Sequence, residues 1–75
     1  MRRARLHVVP SDNGWQVTSE GAQGPIAHGR TQEEAITVAT QLARSQRPSQ
    51  VLIHRENGRI REEHTYDKDP ERYPG

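Results

Sequence analysis

Seventy-five residues, 29% of them hydrophobic, with no Phe and no Cys, leave room for one small domain and exclude disulfides and thiolate zinc sites. A chain this short buries only about 60% of the surface that its unfolded form exposes, so its stability margin is thin. The net charge is only +1, but it is unevenly spread: nine arginines face five carboxylates through residue 61, and two cations face five carboxylates over residues 62–75. A basic body with an acidic end is a pattern in which the end competes for any anion-binding surface.

Residues 5–9, "RLHVV", alternate: Leu6 and Val8 take one strand face, and Arg5, His7 and Val9 take the other. Pro10 ends the run. Asn13-Gly14 carries the positive-φ chemistry of a hairpin. Trp15 and Val17 then share a face opposite Gln16, Thr18 and Glu20. "IAHGR" is a short third strand, expected over residues 25–29.

The clearest element follows. Thr31 is an N-cap with Glu34 three residues on, which is the spacing of a capping box. Ala35, Ile36, Ala39, Leu42 and Ala43 recur at helical spacing, and Pro48 stops the run, so a helix is expected over residues 31–46. "QVLIH" puts Val51 and Ile53 on one face of a further strand, and Asn57-Gly58 signals a second hairpin. A two-residue turn there would set Ile60 across from Arg55, and a three-residue loop would set it across from His54. Sequence alone leaves both open.

Each element has one apolar side to hide, so the economical fold is α+β: a small antiparallel sheet, order β-β-(β)-α-β-β, with one helix packed on one face. Residues 1–66 form this domain, and 67–75 are expected to be a polar, acidic, extended tail. The expected core is Leu6, Val8, Trp15, Val17, Ile36, Ala39, Leu42, Val51 and Ile53.

Across nearly the whole chain, these residues resemble a small bacterial family, domain of unknown function 2188. The likeness is carried by His7 to Pro10, Gly14-Trp15, Val17, Glu20 to Ala22 and Thr31. It continues through Glu34-Ala35, Leu42-Ala43, Ile53-His54, Gly58 to Arg61, Tyr66, Asp69-Pro70 and Pro74-Gly75. The resemblance implies a small bacterial protein and no particular activity. The passage "NGWQVTSEG" to "HGRTQEEAITVATQLA" is also similar in pattern to the arm-type DNA-binding domains of phage integrases and to HicB antitoxins, where strands precede a helix opened by Thr-x-x-Glu-Ala.

Catalysis has no footing in the pattern. There is no thiol, no serine in a nucleophile-elbow context, and Glu62 and Glu63 point to opposite strand faces. The four histidines, His7, His28, His54 and His64, lack the helical spacing of a metal pair. No enzyme activity, metal, cofactor or small-molecule substrate is therefore expected. No run reaches the roughly 18 apolar residues of a membrane helix, the basic N-terminus lacks a signal peptide's apolar run, and a cytoplasmic location is expected.

The principal reading is a non-catalytic module that acts by self-association or protein–protein contact. In that reading a homodimer formed through the sheet buries Val9, Leu52 or Ile26. The alternative is nucleic-acid binding, with Arg2, Arg3, Arg5, Arg59 and Arg61 meeting phosphates. It expects the sheet face away from the helix to gather Arg5, His7, Gln16, Thr18, His54, Arg59 and Arg61. Trp15 reads as a core residue, with a base-stacking platform as its rival role.

Overall fold

A computed structural model describes residues 4–66. The expectations placed on Arg2, Arg3 and the acidic tail lie outside those residues. Three strands come first: β1 (Ala4–Ser11), β2 (Gly14–Ser19) and β3 (Pro25–Gly29). Helix α1 (Gln32–Ser45) follows, then β4 (Ser49–His54) and β5 (Ile60–Tyr66). The five strands make one sheet in the order β3-β2-β1-β4-β5, with α1 packed on one face.

The α+β fold is as read, with residues 25–29 a true strand, but the sheet is mixed. β1 and β4 run parallel, with Leu6 beside Val51 and Val8 beside Ile53. Two tight connections leave β3 running in the direction of β1. The helix then carries the chain back along the sheet, so β4 sets out in that same direction next to β1. A parallel pair needs a crossover of this kind, and here it places four apolar side chains together at the centre.

Those four join Val17, Ala35, Ala39 and Ala43 in one buried cluster, with Trp15, Ala27, Ile36, Leu42 and Tyr66 partly buried against it. The three alanines recur every fourth residue, and none has any exposed surface. With only a methyl group at each contact, the helix backbone lies close to the strands. Ser49 fastens its far end: the buried Oγ donates to the Ala43 carbonyl over 2.6 Å.

The near end is a cap. Thr31 Oγ1 accepts from the Glu34 backbone N–H. Glu34 Oε1 reaches back one residue further than a standard capping box, accepting from the Arg30 N–H instead of that of Thr31. Gly29 explains the tightness here, because a Cβ on it would lie 2.6 Å from the Ala35 nitrogen.

The two hairpins use their glycines differently: Gly58 takes the positive φ, +91, that the Asn-Gly signal calls for, and Gly14 does something else. In the first, Ser11 pairs with Gly14, so Asp12 and Asn13 are the turn residues, and neither has positive φ. Gly14 has φ +141, and a Cβ there would meet the Gly29 carbonyl oxygen at 2.7 Å. Its glycine serves a close approach to the end of β3. In the second hairpin Ile60 pairs with His54 and the Arg55 N–H bonds the Arg59 carbonyl, which selects the three-residue loop.

Enlarging the alanine contact should be costly. Ala39→Leu forces three more carbons into a filled gap and should destabilise by about 1–3 kcal/mol, as overpacked cores do. Urea unfolding followed by tryptophan fluorescence reads this as a lower midpoint. An unchanged midpoint would mean that the helix stands off the sheet.

Candidate functional site

Trp15 follows the first turn directly and points to the helix side with Val17. Its cross-strand neighbour on β3 is Gly29, which has no side chain, so the indole has room to lie over it. The ring is only half-buried. Its inner part packs on the core cluster, and its outer part forms a wall of two open clefts. One, of about 600 Å³, is lined by Trp15, Gln32, Arg55, Glu56, Asn57 and Arg61. The other, of about 550 Å³, includes Asn13, His28, Arg30 and Glu34. Trp15 is thus a core residue and a surface residue at once.

The arginines do not gather on the open sheet face. Arg5 lies there, but Glu20 holds it at 3.5 Å. Arg61 falls at the bulge where β5 slips against β4 between Ile53 and His54. The bulge turns it to the helix side, where it donates to Gln32 Oε1 over 2.8 Å and lies 3.7 Å from Glu62. Arg59 lies in the loop before β5, with its backbone N–H on Asn57 Oδ1. A one-residue bulge is invisible in the alternation of the sequence, and it separates residues that a regular strand would have aligned.

The open face instead carries a polar network. His7 Nε2 is 2.8 Å from Glu20 Oε2, and His7 Nδ1 is 2.9 Å from His54 Nε2. His54 Nδ1 is 2.8 Å from the Gly58 carbonyl. The hydrogen bond from His7, aided by the Arg5 charge, holds the Glu20 carboxyl below its ordinary value of 4.5. Glu62 is lowered in the same way by His64 and Arg61. Leu52 lies on the open face between His7 and Glu63 in register, yet is 1% exposed. The single chain therefore already buries one of the residues expected to drive dimerisation. Val9 is half-buried, and Ile26 is 44% exposed.

Among the described residues, no group of three or more His, Asp or Glu side chains is placed to hold a metal ion, and no helix is long and apolar enough to cross a membrane. One helix across a mixed five-stranded sheet, with shallow clefts and exposed edges, defines a small α+β scaffold. The chain belongs to the family described as "Uncharacterized protein conserved in bacteria (DUF2188)", whose model matches residues 6–66. No curated protein and no solved structure matches it.

The half-burial of Trp15 sets the size of its contribution. Trp15→Ala should cost about 2–3 kcal/mol, below the 3–5 of a fully enclosed aromatic. Thermal melting by circular dichroism measures it. A melting temperature equal to wild type would remove Trp15 from the core.

Proposed function

We propose that this chain is a non-catalytic interaction module that forms a homodimer by pairing β5 with the β5 of a second copy. The observation that carries the reading is the state of this edge. β5 ends the sheet, its residues 60–65 are exposed, and Ile60 remains 48% exposed. A long edge strand offers unpaired backbone donors and acceptors to another strand.

The opposite edge is less suited. β3 is shorter, begins with Pro25 and pairs irregularly with β2 between Val17 and Thr18. Proline guards an edge against pairing, and it separates the two edges where irregularity does not, since β5 has a bulge of its own at Arg61. Contact between two β5 strands is also self-complementary, so it closes at two copies, whereas β3-to-β5 pairing would continue into a filament. The mixed charges of Arg61, Glu62 and Glu63 favour one matched register over indiscriminate pairing.

A second reading has its own observation. Arg55 and Arg61 share the larger cleft with Trp15, and a cation beside a partly exposed ring is a combination that holds single-stranded nucleic acid. The ion pairs of Arg5 and Arg61 weigh against a broad phosphate-binding face.

Sedimentation equilibrium separates the two. Mass should rise with concentration from 8.5 kDa toward twice that value, and Ile60→Lys should hold the chain at one copy. A single-chain mass at high micromolar concentration overturns the dimer. Quenching of Trp15 by oligonucleotide at low salt, fading steeply as salt is added, would then establish the second reading.

A further inference from the structure

The contacts Glu20–His7–His54–Gly58 form an unbroken line across the sheet, from the end of β2 to the β4–β5 loop. Each of the three contacts needs one proton between its heavy atoms. The Gly58 carbonyl can only accept, so His54 Nδ1 carries a proton. The Glu20 carboxylate can only accept, so His7 Nε2 carries one as well. The contact between the rings requires a third. Two neutral imidazoles supply two ring protons between them. The closed line therefore holds one proton more than a neutral pair.

We propose that His7 and His54 form a binding site for a single shared proton, which fastens the β4–β5 loop to the centre of the sheet. The proton has two homes, one on each ring. With His7 doubly protonated, its Nδ1 donates to His54 Nε2. With His54 doubly protonated, the donation runs the other way. The ring atoms stay in place, with centroids 5.2 Å apart. Glu20 does not take the extra proton, because its carboxyl is already held below the ordinary range. It supplies the negative charge that balances the site.

The surroundings are sparse in charge. Arg5 approaches Glu20 from β1. β2 faces the rings with neutral Gln16 and Thr18, and His28 on β3 lies beyond Gln16 in register. Glu63 on β5 lies across Leu52, hydrogen-bonded to Gln50. The loop itself carries Arg55, Glu56 and Arg59. On the helix side, neutral Gln32 donates to the His54 carbonyl.

The line is closed only while its shared proton sits between the rings, so the loop is fastened to the sheet only then. At the acid end, Glu20 has its folded value lowered, so its contribution is present above 4.5 and is lost as pH falls through that lowered value. The inference stands whether or not β5 pairs with a second copy.

Nitrogen-15 NMR of the imidazoles in the full chain, followed from acid to alkaline pH, tests it. His7 and His54 together should show three ring N–H signals while the line is closed and two after its proton leaves. The urea midpoint should fall across that same transition. His7→Gln should abolish the coincidence and leave Gly58 without its ring donor in a fixed place, and His28→Gln should change neither readout. Two signals at every pH overturn the proposal, as do three signals with a midpoint indifferent to their loss. The signal count in the wild-type chain decides the matter even if His7→Gln fails to fold.

Discussion

Ala35, Ala39 and Ala43 bring α1 down onto β1, β2 and β4 with no solvent left between them. This close seating is the contact on which the rest of the molecule depends. A chain with no Phe and few large aliphatic residues cannot fill a wide gap between helix and sheet. It makes the gap narrow instead, and a narrow gap needs small residues on the helix and a glycine at its entrance. Gly29 lets the end of β3 run under the first turn of α1, and Ser49 ties the last turn to the start of β4. Packing at this density rewards methyl groups that fit and penalises added carbon.

The seating also decides what the helix leaves uncovered. α1 touches β1 to β4, whereas the side chains of β5 remain exposed almost to its end. Only Tyr66 turns inward there, with the Arg47 guanidinium 5.8 Å from its ring centre. On the opposite face, Leu52 is buried without any helix to cover it. Its neighbours there form polar bridges between strands, His7 to His54 and Gln50 to Glu63. One small core and one polar network thus hold the two sides of the same central strands.

Much of this was legible in the sequence. The capping residues, the alanine stripe and the alternation around Leu6, Val17 and Ile53 place the helix, the strands and their inner faces. The family likeness read from the motifs agrees with the match over residues 6–66. The parallel pairing of β1 with β4 was not legible, because alternation reports faces and not strand direction. Nor was the bulge at Ile53 and His54, which turned Arg61 away from Arg5. The line through Glu20, His7 and His54 joins residues far apart in the chain. Its only sequence sign was that the two histidines fell on outward-facing strand positions. Once β1 is set beside β4, those positions become neighbours.

Residue-resolved amide hydrogen exchange, run at low and at high protein concentration, tests the account most directly. Amides of β1 and β4 should be the slowest at both concentrations, since they lie beneath the helix at the centre of the sheet. Amides along β5 should exchange quickly in dilute solution and slow markedly when concentrated, while those of β3 stay unchanged. Exchange along β5 that is indifferent to concentration, or protection that develops on β3 instead, would contradict the assignment of β5 as the edge this protein uses.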